Sequence, residues 1–243
     1  MLIESSQNSK VKNVRLLYKD KQERLKQNVF LAEGVNLVQD AERVKELYFK
    51  ASKAEKLSFL AEKFQIEPFL VKDEIFDAMA DTKTPSGVIA VVEREKANST
   101  PKGEIVLLLD GISDSGNLGT IIRTAAARGI QTIVCADCAD AFSPKCVRAA
   151  MSGTFFVDIL ETNRENALEL LKDYDIVGLD MGGESVFTYK RQGKIALTVG
   201  SEAKGLGREI REKAKQIIAI PMPGRMESLN AAMSIGIAMY IIH

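Results

Sequence analysis

The chain has 243 residues, 46% hydrophobic and 27% charged, with 33 basic and 33 acidic side chains. Such a composition fits one large or two modest soluble domains with a proper core, and a net charge of zero argues against a simple nucleic-acid coat. No apolar run reaches the length of a membrane span and the opening MLIESSQNSKVKN lacks the apolar stretch of a secretory signal, so the cytoplasm is the expected location.

Charge is uneven along the chain. Residues 1–30 carry seven basic side chains (Lys10, Lys12, Arg15, Lys19, Lys21, Arg24, Lys26) against three acidic ones. A basic helix near 9–22 is predicted here, readable as a solvated face or as a patch that contacts phosphates. A strand at VFLAE follows, then a helix over about 34–42, a strand at VKELYF, a helix at KAEKLSFLAEKF, a strand at IEPFLV and a helix at DEIFDAMA. GVIAVVE closes a compact α/β unit over residues 1–93. Residues 94–103 are polar and aperiodic and contain Pro101 and Gly103, which predicts a linker.

From 104 to 243 the alternation sharpens. Strands are predicted at EIVLLLD, QTIVCA, TFFVDI, YDIVGLD, KIALTVG and QIIAIP, interleaved with helices. Their continuous Val/Ile/Leu runs point to strands buried on both faces of a mostly parallel sheet. The last helix, SLNAAMSIGIAMYII, is apolar nearly all round and must be covered by its own fold, by a second subunit, or by both. Cys135 and Cys138 have CxxC spacing but go with the strand-like QTIVCA, whereas a redox pair would start a helix, and the lone His243 leaves a zinc site short of ligands; with Cys146 they are expected to be small buried or half-buried thiols, and no metal is expected.

Gly111-x-x-x-x-Gly116 copies half of a P-loop, but Asn117 and Leu118 stand where Lys and Ser or Thr are needed, and GxGxxG is absent. What remains is strand, tight loop and helix, with Asn117 in a position to cap and Arg123 off the apolar face. Taken alone, Arg123 reads as a surface ion-pair residue. The scheme recurs in LTVGSEAKGLGREI, with Glu202 in the loop, and in IAIPMPGRMESLNAAMS, with Ser228 and Asn230 at the helix start. In a parallel sheet all three loops lie at the carboxyl edge, where open α/β folds bind ligands.

In these three segments the chain resembles the SpoU (TrmH) family of RNA ribose 2′-O-methyltransferases, in the SPOUT superfamily. The matching positions are Asn117-Leu118-Gly119 with Arg123, then Gly200-Ser201-Glu202 with Gly205, then Ile220-Pro221-Met222 with Ser228-Leu229-Asn230. Ser115-Gly116 departs from the proline that many relatives carry. SSQNSKVK, Arg24, Lys26, FLAEG and TPSGVIAVV are similar to the substrate-binding domain often attached to this family. The resemblance implies an α/β fold whose mostly parallel C-terminal sheet, residues 104–243, holds a deep trefoil knot, preceded by a small L30e-like RNA-binding domain. It implies S-adenosyl-L-methionine as cofactor, held by Gly200, Ile220, Met222, Ser228 and Leu229. Arg123, Asn117, Glu202, Ser228 and Asn230 would be catalytic, and Lys10, Lys12, Arg24 and Lys26 would contact RNA. The implied partners are RNA, with 23S ribosomal RNA favoured over tRNA, and a second copy in a homodimer. A non-catalytic RNA-binding protein is the reading from another class, and a nucleotide-dependent dehydrogenase a further one that the absent GxGxxG opposes.

Overall fold

A computed structural model describes residues 2–94 and 100–242. Residues 95–99 of the expected linker, and His243, lie outside the described residues. The chain forms two compact units, one of residues 1–96 with 142–148, the other of residues 97–141 with 149–243. Residues 142–148 thus group with the first unit, where the Phe142 ring lies 5.3 Å from that of Phe30.

The first unit runs β1 (Leu2–Ile3), α1 (Ser9–Lys19), α2 (Lys21–Gln27), β2 (Val29–Glu33), α3 (Val35–Asp40), β3 (Val44–Lys50), α4 (Ala54–Phe64), β4 (Phe69–Val71), α5 (Asp73–Met79) and β5 (Val88–Glu93). Its sheet has the order β1-β4-β3-β5-β2, with β5 antiparallel to both neighbours and the other pairs parallel. Val11, Val14 and Leu17, spaced to share one face of α1, pack with Leu31, Tyr48, Phe76 and Val91.

The single basic helix expected near 9–22 is two helices. Asp20 leaves the helical conformation, its amide still bonds Leu16, and its carboxylate accepts from the amides of Gln22 and Glu23. One residue therefore ends α1 and caps α2. The break turns Arg24 inward, so it is only 4% exposed, and its guanidinium donates to the carbonyls of Leu17 and Tyr18. Those are among the last carbonyls of α1, which have no partner within their own helix. Arg24 is therefore occupied in the core rather than open to a phosphate, contrary to the sequence expectation.

Past the first ninety-odd residues the chain runs β6 (Ile105–Asp110), α6 (Ser115–Arg128), β7 (Thr132–Ala136), α7 (Pro144–Ala150, most of it grouped with the first unit), α8 (Gly153–Phe156), β8 (Asp158–Thr162), α9 (Arg164–Leu170), β9 (Asp175–Ser185), β10 (Ile195–Gly200), α10 (Arg208–Lys213), β11 (Gln216–Ala219) and α11 (Ala231–Ile241), the elements other than α7 forming the second unit. Its sheet, in the order β11-β9-β10-β6-β7-β8, is parallel throughout. Val106, Leu108, Val134, Ala136 and Ala196 pack with Ala167, Leu171 and Ile210 on one face. Successive strand residues point to opposite faces, so Leu107 and Leu109 serve the other, where α6 packs on α11.

Three local expectations are corrected. TFFVDI is strand only from Asp158, because its first half coils into α8 against α6. A Cβ on Gly153 would stand 3.0 Å from the Arg123 Cα, so the glycine permits that approach. The cap of α6 is Asp114, which accepts from the Asn117 amide at 2.9 Å and leaves the Asn117 side chain free for distant partners. The last helix begins at Ala231, with Asn230 as its cap. Met233 and Tyr240 on it are 58% and 53% exposed. Cys135 and Cys146 are buried, and half-buried Cys138 points its thiol at the Leu109 carbonyl, 3.2 Å away. Among the described residues no helix is long and apolar enough to cross a membrane.

Arg24→Ala should lower stability by about 1–3 kcal/mol, the usual result of leaving buried carbonyls without a donor. Urea unfolding followed by circular dichroism checks this.

Candidate functional site

The chain leaves β6 outward through β7 to β8, then returns to lay β9 and β10 on the other side of β6. Strand order reverses at the β6–β10 pair, and loops that leave such a reversal in opposite directions open a crevice. Here the segments that follow β6, β10 and β11 meet. Asn117 Nδ2 donates to Glu202 Oε1 at 2.6 Å, and Asn230 Nδ2 donates to the same oxygen at 2.8 Å. Asn230 also donates to Asn117 Oδ1 at 3.1 Å. The other end of the Asn230 amide accepts from the N–H groups of Ala232 and Met233, at 2.9 and 3.3 Å. One side chain thus starts α11 and holds a carboxylate. Glu202 is solvent-exposed, and its Oε2 has no hydrogen bond among the described residues.

Beside this cluster lies a cavity of about 560 Å³, at the carboxyl ends of β10 and β11 and the middle of β9. All five residues expected to hold a cofactor, Gly200, Ile220, Met222, Ser228 and Leu229, line it, together with Glu202 and Asn230. Asp180, Lys204 and Glu227 also line it, and sequence reasoning passed over them. Lys204 and Glu227 sit inside the second and third motif segments, so their signal was present. Asp180 closes a strand-like run with nothing to single it out, and it is ion-paired with Arg211. Gly200 is explained by the chain's own turn: an added Cβ would stand 2.0 Å from the Gly205 carbonyl oxygen, where Ser201 and Gly205 form a bridge. A ligand ring is not needed to account for it.

Arg123 is not brought to this cluster. It is exposed, does not line the cavity, and has no hydrogen bond or ion pair among the described residues. Six residues beyond Asn117, it points roughly 120° away around α6 and about 9 Å along it. In the first unit, Lys10 is ion-paired with Glu46 and lies 5.0 Å from the Phe69 ring. Lys26 reaches Glu23 at 3.3 Å with most of its side chain in solvent, and Lys12 is exposed.

Deeper in the second unit, Arg164 joins Asp110 and Asp137. Desolvation works against its charge, but the hydrogen bond and charge of Asp110, with Asp137 and Glu209 beyond, outweigh it and raise its pKa. Among the described residues no three His, Cys, Asp or Glu side chains gather to hold a metal.

Asn230→Asp would keep the helix cap and replace the donor to Glu202 with a second carboxylate. Repulsion raises the folded-state pKa of that pair, so the variant should be destabilised at neutral pH and recover as pH falls toward about 4. Asn230→Ser keeps a capping oxygen without the new charge and should show no such recovery. Thermal unfolding across that pH range separates the two.

The SpoU rRNA Methylase family matches residues 104–240, and the MRM3-like substrate binding domain matches residues 8–90. Among similar proteins is the 23S rRNA (guanosine(2553)-2'-O)-methyltransferase RlmP of Bacillus subtilis, 33% identical over 248 residues, which cover 98% of this chain and 97% of the relative. The 23S rRNA (guanosine-2'-O-)-methyltransferase RlmB of Bordetella pertussis is 32% identical over 216 residues, covering 82% of this chain and 88% of its own. The AdoMet-bound rRNA methyltransferase from Sinorhizobium meliloti superposes with a TM-score of 0.87 at 28% identity, over 99% of this chain and 96% of that one. With a family match across more than half its length and relatives of this identity over nearly all of it, the chain belongs to the SpoU rRNA methylase family.

Proposed function

We propose that the protein transfers a methyl group from S-adenosyl-L-methionine to a ribose 2′-hydroxyl of RNA, with 23S ribosomal RNA as the substrate. The observation that carries this reading is the Glu202 carboxylate, fixed beside the cavity by Asn117 in the first turn of α6 and by Asn230 at the start of α11. A cavity of about 560 Å³ is the size of a small-ligand site. Leu179, Ile220 and Leu229 offer apolar walls, the 200–205 backbone offers amides and carbonyls, and Lys204 and Glu227 offer charges of both signs for an amino-acid end. These residues fit the proposed donor. When bound, it supplies a methyl group already activated on a positively charged sulfur.

The chain's own residues have the remaining work. Glu202, with Oε2 open, accepts the proton of the ribose hydroxyl, and the two asparagines hold its carboxylate in one orientation. Ser228, exposed at the cavity, hydrogen-bonds the ribose. Arg123 holds a neighbouring phosphate and stabilises the oxyanion as it develops, since an arginine is too weak an acid to serve as a base near neutral pH. Its place outside its own chain's cavity favours a homodimer, in which Arg123 meets the site of a second copy. The packed α6–α11 pair suits that contact, since α11 exposes Met233 and Tyr240 and α6 exposes Thr120 and Ala127. The passage from β11 to α11 is read as part of the family's deep trefoil knot. We read the first unit as the L30e-like RNA-binding domain, contacting phosphates through Lys10, Lys12 and Lys26, and the location as the cytoplasm.

The substrate assignment leans on relatives that span both units and are named for 23S rRNA. It is tested by transfer of labelled methyl from S-adenosylmethionine to unmodified ribosomal RNA and tRNA, followed by alkaline hydrolysis. Label is expected in alkali-stable dinucleotides from ribosomal RNA, because a 2′-O-methyl group blocks attack on the adjacent phosphate. Label only in tRNA would move the substrate, label in mononucleotides would mean base methylation, and none in either would favour the non-catalytic reading.

Arg123→Ala should reduce kcat at least ~10²-fold, the scale of losing one transition-state donor. Mixing it with an equally inactive Glu202→Gln variant should restore turnover if Arg123 acts across a dimer. Near wild-type turnover of the single variant would remove Arg123 from the mechanism.

A further inference from the structure

The loop from Gly200 to Gly207 carries Glu202 and Lys204 along the cavity wall, and Asp110 adjoins both of its ends, one through the strand ladder and the other through its buried carboxylate. Gly200 lies in register with Asp110 where β10 and β6 run side by side. At the far end, Asp110 Oδ2 accepts the amide N–H of Gly207, which precedes α10. Asp110 Oδ1 accepts from Arg164 Nε at 2.7 Å, and Arg164 Nη1 reaches Asp137 Oδ2 at 3.0 Å. The Asp110 side chain is wholly buried, whereas that of Arg164 is 35% exposed. Space is tight: a Cβ on Gly207 would stand 2.9 Å from both Asp110 Oδ2 and Arg164 Nε. Neither Asp110 nor Arg164 lines the cavity.

We infer that Asp110 and Arg164 are positioning residues that set affinity for the methyl donor by fixing the Gly200–Gly207 loop; this rests on reading the cavity as the donor site. A buried carboxylate persists only when its charge is matched and its lone pairs are occupied, and removing one partner is strongly unfavourable. Without Arg164, Asp110 keeps only the Gly207 amide and must admit water or take a proton. Either way the anchor at the far end of the loop loosens. A loop that is competent for only a fraction of the time lowers apparent affinity by that fraction and leaves the chemical step of the bound state alone.

Arg164→Ala and Arg164→Lys test this, with S-adenosylmethionine binding followed by calorimetry well below the unfolding midpoint and thermal unfolding recorded in parallel. The alanine variant should bind the donor about tenfold more weakly, raising the donor KM while kcat at saturation changes less than about threefold. The lysine variant keeps a charge against Asp110 but lacks the fork that also reaches Asp137, and it should recover most of the lost affinity. If the alanine variant does not fold, the lysine variant alone decides, with a donor affinity expected between wild type and a several-fold loss. Lower thermal stability with unchanged donor affinity in a folded variant would overturn the inference, leaving the pair a purely structural one. A fall in kcat at unchanged KM would overturn it as well. Failure of the wild-type protein to bind S-adenosylmethionine would instead remove the donor-site reading, and the inference with it.

Discussion

The ladder from Ile105–Ile195 to Asp110–Gly200 joins β6 to β10, and the site depends on that pairing. It brings together strands that begin 90 residues apart and aims their following loops at one another. Asn117 and Glu202, 85 residues apart in the chain, meet only because their strands end side by side. Parallel direction matters as much as proximity. Antiparallel pairing would send the two loops to opposite edges of the sheet, with no shared carboxylate between them.

On that frame, polar side chains each meet more than one need. Asn230 starts α11 through its oxygen and restrains Glu202 through its nitrogen. Asp110 holds Arg164 with one oxygen and the Gly207 amide with the other. Asp20 ends one helix and caps the next, and Arg24 covers the carbonyls that the break exposes. Where a single group serves two elements, its loss is felt in both. Substitutions at these positions therefore need a readout that separates geometry at the site from stability of the fold.

Much of this was legible in the sequence, for identifiable reasons. Strands buried on both faces have to be apolar throughout, so runs such as IVLLLD and TIVCA announce a parallel sheet. Asn117, Glu202 and Asn230 were legible as polar residues on loops that follow strands. Their mutual contact was not, since it depends on strand order, which periodicity does not encode. Asp114 and Asn117 are both able caps, and nothing local ranks them. Arg24 reads as one more surface cation until the break at Asp20 is known. In TFFVDI, apolar and β-branched residues suggest strand, and the packing of α8 on α6 at Gly153 overrides them. The need for glycine at 200 could be read from the motif, but its cause, a turn of the chain onto itself at Gly205, required coordinates.

The position of β10 between β9 and β6 also bears on how the protein comes to be folded. During synthesis β6, β7 and β8 emerge in order and can pair with their neighbours at once, while β6 waits with one side open. That side is an apolar edge of unpaired amides and carbonyls, the kind of surface that invites association between unfinished chains. It closes only when a strand some ninety residues later inserts between β6 and β9, a long-range step of the sort that slows folding. The hydrogen bonds that assemble Asn117, Glu202 and Asn230 therefore wait on that insertion, and a chain stopped short of it would hold the β6–β7–β8 half of its sheet and none of its site.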